Sequence, residues 1–347
     1  MKNFVSGTQI NQGYYKSFQP NPIHKQWQIE DMEVLALLST ADRQLGRLDM
    51  YSEYVNIELF ISMHIAKEAT QSSKIEGTQT NMEEAFLKKD EISVEKRDDW
   101  EEVQNYISAM NEAVKMLHRL PFSSRLIKQT HKILLQGVRG QNKLPGEYRT
   151  IEKFANDELN HLPDLLKIAL IHYQFETIHP FLDGNGRVGR LLITLYLVSK
   201  GILKQPILYL SDFFEKNRML YYDNLMRVRT HNDLSQWFKF FLSGVVETAK
   251  SGVTTFDSIM QLQKTLDIKL KTLGNRSVDA RLVIESLYSR PVIDVNRVEK
   301  IIQKSNVSAY KLIASLEELE ILHEITGGQR GRLYIFKDYV DLFKDSL

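Results

Sequence analysis

Three features of this sequence predict a mainly α protein, with a helical core preceded by a helical segment and followed by a small α+β module. Apolar residues recur at helical spacing over most of the first 250 positions. Glycine or proline marks the ends of several of those runs, as at Gly77, Pro163 and Gly201. After Val278 the helical stretches shorten and end in a β-prone run from Ile321 to Phe336, which turns at Gly327-Gly328-Gln329-Arg330-Gly331.

Residues up to about Gln26 lack a helical period and read as an extended arm, whose Tyr14, Tyr15 and Phe18 are expected to pack on the body. Met32, Leu35, Leu38, Ala41, Leu45 and Leu48 mark an amphipathic helix ending near Gly46 to Asp49. A second helix runs from about Glu58 to Glu76, with Gly77 as its stop because glycine accepts the left-handed conformation found there. Asn81 caps a short helix through Phe86, and a long one follows through Trp100, Val103, Ile107 and Val114. Ser123 or Ser124 caps the next, to about Gly137. Pro145 to Ile151 breaks the pattern as a small hairpin or loop, and Pro163 opens a helix that ends at a turn around His179 and Pro180. Another helix runs from near Gly186 to Lys200-Gly201, and helices continue to about Lys250, where Trp237, Phe238, Phe240 and Phe241 read as core.

The expected organisation is an arm and helical segment over 1–98, a core over 99–250, a linker over 251–276 and the small module over 277–347. Lys and Arg number 45 against 44 acids, so no global field gathers nucleic acid or anionic lipid. With no cysteine, disulfides, thiolate catalysis and Cys-ligated zinc are excluded. Met1 to Pro22 has no apolar signal-like run and no long apolar span follows, so the expectation is a cytoplasmic protein with no membrane contact.

The chemistry concentrates in His179-Pro-Phe-Leu-Asp-Gly-Asn-Gly-Arg-Val-Gly-Arg190. Gly184 and Gly186 allow close backbone approach at the N-terminus of a helix, where unpaired N–H groups and the helix dipole favour an anion. Arg187 and Arg190 add fork-shaped donors suited to a polyphosphate. Asp183 beside them is the kind of hard carboxylate that holds magnesium together with phosphate oxygens and water. An imidazole at His179 can accept a proton from an attacking hydroxyl.

This string resembles the signature of the Fic family, His-x-Phe-x-(Asp/Glu)-Gly-Asn-Gly-Arg-x-x-Arg, at every specified position. The resemblance implies a Fic helical core that transfers AMP from ATP, with magnesium, to a Ser, Thr or Tyr hydroxyl of a target protein or of itself. It implies His179 as general base, Asp183 as magnesium ligand, and Asn185 with the Gly184 and Gly186 backbone as α-phosphate cradle. Arg187 and Arg190 would hold the outer phosphates, Phe181 would anchor the loop, and Tyr221 and Tyr222 would lie near the adenine.

Ser72-Ser-Lys-Ile-Glu76-Gly77 is similar to the inhibitory helix motif of Fic proteins that carry it N-terminal to the core, which implies that Glu76 engages Arg190 in place of the γ-phosphate. A carboxylate there could also activate water for removal of AMP. Between Arg149 and Pro163 the chain is shorter than the flap segment of many relatives. The C-terminal module resembles a winged helix, with Val295 to Lys304 and Ser308 to Leu319 as its helices. Glu317, Glu318 and Glu320 interrupt any basic stripe, so protein docking or homodimerisation ranks above DNA binding. The alternatives are transfer of another nucleotide or a phosphoryl group, and a nucleotide-sensing, DNA-binding regulator.

Overall fold

The computed structural model describes residues 4–54, 57–138, 162–328 and 330–344. The hairpin or loop expected at Pro145 to Ile151, and the short flap after it, lie outside the described residues.

The chain opens with an antiparallel hairpin, β1 (Gly7–Asn11) and β2 (Lys16–Pro20), with Gly7 opposite Pro20. Tyr14 and Tyr15 sit in its turn and are exposed, contrary to their expected packing; only Phe18 is engaged, with the Arg229 guanidinium 4.7 Å from its ring centre. Helix α1 (Met32–Tyr54) runs through Gly46 instead of stopping there, because nothing crowds that glycine and the apolar stripe goes on beyond it.

Helix α2 (Glu58–Ile75) ends at Gly77, whose φ of +107° is a conformation that suits glycine. The capping expected of Asn81 is reciprocal: its Oδ1 accepts from the Glu84 N–H, and Glu84 Oε2 accepts from the Asn81 N–H. Helices α3 (Arg97–Leu117) and α4 (Ser124–Leu134) follow, the second capped by Ser123 Oγ accepting from Leu126 N–H.

Helices α5 (Asp164–Ile178) and α6 (Asn185–Ser199) form the centre. Both are buried on every side along most of their length, as a helix apolar all round must be. Short α7 (Ser211–Lys216) and α8 (Arg218–His231) flank them. Helix α9 (Leu234–Lys271) then packs along α1, with the Tyr51 ring stacked on Phe256 at 5.4 Å, while Trp237 Nε1 donates to Ala169 O of α5 at 2.9 Å. The linker expected over 251–276 is corrected here, since α9 continues without interruption to Lys271. Its apolar positions Val253, Phe256, Ile259, Leu266 and Leu270 are buried, which keeps the segment helical.

The C-terminal part comprises α10 (Ser277–Ser289), β3 (Val292–Asp294), α11 (Val295–Ile302), α12 (Asn306–Glu318), β4 (His323–Glu324), β5 (Leu333–Ile335) and α13 (Lys337–Lys344). Its strands form an antiparallel sheet in the order β3-β5-β4. Thus Val292 to Asp294, between two helices, contributes a strand outside the β-prone run expected from Ile321 to Phe336, and α13 is an element the periodicity did not reveal. This part packs on α2: Tyr288 meets Phe60 edge-on at 5.1 Å, Phe343 meets His64 at 5.0 Å, and Ser62 Oγ donates to Ser289 O at 2.7 Å. Helix α2 therefore lies between the core and the C-terminal part.

Candidate active site at the α5–α6 corner

The corner is built by strain and side-chain clamps. His179 ends α5 with φ +50° and ψ +59°, a left-handed conformation uncommon outside glycine and asparagine. Its N–H donates to Phe175 O, and its Nδ1 lies 3.3 Å from Glu176 O. A carbonyl only accepts, so that contact places the proton on Nδ1 and leaves Nε2 as the acceptor.

Asn185 holds the loop closed. Its Oδ1 accepts from Phe181 N–H at 2.8 Å, and its Nδ2 donates to Phe181 O at 2.6 Å. The Phe181 ring is buried and stacks at 3.4 Å on His131, whose Nε2 donates to Asp183 O at 3.1 Å. Gly184, at φ +73°, packs so close to Leu134 and Leu135 of the α4 end that a Cβ would stand 3.3 Å from a Leu135 methyl. Asp183 Oδ1 accepts from the Gly184 N–H at 2.6 Å. The first turn of α6 thus presents its backbone N–H groups at a tightly fixed place.

Two guanidinium groups flank that turn, both buried. Arg187 Nη1 pairs with Glu102 Oε2 at 2.9 Å, and its Nη2 is 3.9 Å from Asp183 Oδ1. Arg190 is met, among the described residues, from α2 and its C-cap: Nε donates to Ser72 Oγ at 2.9 Å, and Nη2 donates to Ser72 O at 2.8 Å and to Glu76 Oε1 at 2.7 Å. A Cβ on Gly186 would lie only 2.3 Å from Glu76 Oε1, so the carboxylate rests against the bare backbone of the α6 N-terminal turn. Burial pushes the Glu76 carboxyl up, but Arg190 beside it, with Arg187 and Arg218 beyond, outweighs burial and holds it below the usual value.

The expected aromatic pair divides. Tyr222 is exposed, whereas Tyr221 is a core residue stacked on Phe214 at 4.5 Å, its hydroxyl donating to His172 Nε2 at 2.9 Å. The placement of Tyr221 beside a base is corrected on that ground, since its ring is enclosed by Phe214, Trp237 and Tyr222. His172 gives its other nitrogen to Gly189 O at 3.0 Å and, fully buried, is pushed down to about 3, so it stays neutral. Among the described residues no group of three or more His, Asp or Glu side chains is placed to hold a metal ion, and no helix is long and apolar enough to cross a membrane.

Three residues of the corner carry no signal in the sequence motif. Glu102 lies far upstream on α3, His131 reads as one more position of α4, and Glu176 looks like an ordinary helix-end carboxylate. Only the periodicity of α3, which turns Glu102 toward the same side as buried Val103 and Tyr106, hints at any of them.

Taken together, the fold and the corner define a helical protein organised around a tightly fixed helix N-terminus flanked by two buried guanidinium groups. Residues 35–115 match the Fic/DOC family N-terminal model and residues 121–197 the Fic/DOC family model. The chain belongs to the Fic family.

It is similar to a probable protein adenylyltransferase of Aquifex aeolicus (strain VF5), 30% identical over 135 residues, which cover 37% of this chain and 39% of that protein. It is also similar to a protein adenylyltransferase Fic of Drosophila grimshawi, 29% identical over 85 residues, covering 24% of this chain and 16% of that protein. The chain therefore aligns with less than half the length of these relatives. Among solved structures, a Fic family protein from Desulfovibrio desulfuricans G20 shares the fold, with a TM-score of 0.56 at 16% identity, covering 90% of this chain and 98% of that one.

Proposed function

We infer that this protein transfers AMP from ATP to a hydroxyl of a target protein or of itself, and that Glu76 holds the reaction off. The observation that carries this reading is the Glu76–Arg190 pair at 2.7 Å, set against Gly186 at the α6 N-terminus. A carboxylate there occupies the guanidinium and the backbone space that a nucleotide phosphate would use.

In the proposed reaction the hydroxyl oxygen bonds to the α-phosphorus, the bond to pyrophosphate breaks, and the hydroxyl proton passes to His179 Nε2. The α6 N–H groups take up charge on the phosphate, while Asn185 acts by clamping Phe181 and so fixing where those groups point. Arg187 and Arg190 orient the outer phosphates, and Tyr222 is the exposed ring available to the base. Asp183 fits magnesium: Oδ1 is engaged with the Gly184 N–H while the carboxylate remains partly exposed, and a single carboxylate suffices where phosphate oxygens and water complete the shell. Magnesium would supply charge neutralisation on the phosphates.

Incubation with α-labelled ATP and magnesium tests the reading. Glu76→Gly is expected to label protein at least tenfold faster than wild type, and His179→Ala in that background to abolish labelling. Equal labelling with and without Glu76 removes the brake, and label that persists without His179 removes the base.

A further inference from the structure

Glu176 is a carboxylate the mechanism above does not use. It lies on the last turn of α5, and its Oε1 is buried with no hydrogen-bond partner among the described residues. That oxygen rests on α6, where a Cβ added to Gly189 would stand 2.2 Å away, one residue from Arg190. Among the described residues, the hydrogen-bond partners of the Arg190 guanidinium are Ser72 and Glu76, on α2 and its cap. If Glu76 withdraws, a guanidinium with a side chain only 1% exposed loses its counter-charge. A buried charge without a partner is strongly unfavourable. Two other carboxylates act on Arg190 by charge: Glu68 of α2, whose oxygens already accept from Tyr106 and Ser211, and Glu176, whose Oε1 has no such partner.

We propose that Glu176 is a second, proton-gated counter-ion of Arg190, a positioning residue that is neutral while Glu76 is in place and ionises onto the guanidinium when Glu76 leaves. This deepens the reading above, because it takes Glu76 to be a movable occupant of Arg190.

The electrostatics run in that direction. Burial pushes the Glu176 carboxyl up to about 7; Arg190 pulls it down and the Glu76 charge pushes it up. Among the described residues, the ionisable groups around this carboxylate are Glu76 from the α2 end, Arg190 from α6, Tyr221 from α8 and neutral His172 from α5 itself, with Glu68 of α2 acting on Arg190 from behind. Removing Glu76 deletes the neighbouring negative charge and frees Arg190, so the Glu176 carboxyl falls and a proton is released. The closed state binds the extra proton, and loss of the Glu76 contact is therefore favoured as pH rises toward and past 7. Once ionised, Glu176 competes with a terminal phosphate for the same guanidinium, so nucleotide binding takes the proton back up.

The primary test needs no nucleotide. In protein labelled with carbon-13 at the glutamate carboxyl, the resonance missing from Glu176→Gln is expected to titrate near 7 in wild type and at least one pH unit lower in Glu76→Gly. Infrared detection of a protonated carboxyl at pH 6, present in wild type and lost in Glu76→Gly, gives the same answer without a Glu176 variant. A midpoint in the ordinary carboxylate range in wild type, or one that does not move when Glu76 is removed, overturns the proposal and leaves AMP transfer standing. In the kinetic arm, KM for ATP in Glu76→Gly is expected to rise severalfold from pH 6 to pH 8, kcat changing less, and Glu76→Gly/Glu176→Gln to flatten that rise. A rise that persists in the double variant also overturns it. Absence of any AMP transfer by Glu76→Gly counts against the proposed function, while the titration is decided independently.

Discussion

Arg187 and Arg190 stand three residues apart on one helix, yet they are paired from different directions: Arg187 by Glu102 on α3, Arg190 by Ser72 and Glu76 from α2. Position on the α6 surface decides this, since three residues turn the helix most of one revolution and point the two side chains at different neighbours. The Arg187–Glu102 pair is buried, with side-chain exposures of 4% and 14%, so breaking it strands a charge rather than a surface contact. Glu102→Ala is expected to destabilise the fold by about 3 kcal/mol, readable as a lower urea midpoint at unchanged slope. A midpoint within error of wild type would mean that Asp183, 3.9 Å away, neutralises Arg187 by itself. The motif announced both arginines and the glycines around them, because close approach and charge leave compositional marks. Glu102 left none, because its relation to Arg187 exists only once α3 has packed against α6.

At the scale of elements, glycines mark where helices touch. In α9, a Cβ on Gly244 would lie 2.6 Å from the Phe213 ring of α7, and one on Gly252 would lie 2.8 Å from Leu48 of α1. Alanine favours a helix over glycine by about 1 kcal/mol, but forcing a methyl against a buried aromatic ring costs about 1–3 kcal/mol. Gly244→Ala is accordingly expected to lower the melting temperature, even though Gly46→Ala, in open space on α1, is expected to raise it. If the two substitutions shift it in the same direction, close packing at Gly244 is not what selects glycine there. Helix periods made α2, α3, α5 and α6 readable in sequence, and caps at Asn81 and Ser123 gave the starts of the short turn before α3 and of α4. The arm was less readable: β1 and β2 are held by backbone pairing across a short register, and their exposed faces carry no alternation.

Across the whole molecule, burial of neutral histidines ties stability to pH. His172 in the centre of the core and His64 between α2 and the C-terminal part are both pushed down to about 3, chiefly by burial. The unfolded chain takes up these protons near the ordinary histidine value while the folded one does not, so the unfolded state holds more protons between about 6.5 and 3. The histidine share of stability is therefore expected to fall with acid through that window, by about 1 kcal/mol per histidine between pH 6 and pH 5. Glu176 and Glu68, whose carboxyls burial pushes up, act in the opposite sense, so urea unfolding of wild type and His64→Gln at those two pH values checks it, and an equal pH dependence in both would place His64 in contact with water. His64 also shows why the division at residues 251–276 could not be read from sequence. Loosened periodicity past Gly252 looks like a linker in one dimension, but the apolar face of α9 there is covered by residues close to it only in space.

That covering gives α9 a mechanical character. At about 1.5 Å per residue its 38 residues make a shaft about 57 Å long, seated in the core at one end and among the C-terminal helices at the other. A shaft with no joint transmits torque. Any load that tilts the C-terminal helices must either carry the core with it or be absorbed where those helices grip α2, about three to four turns along that helix from the glutamate that occupies Arg190.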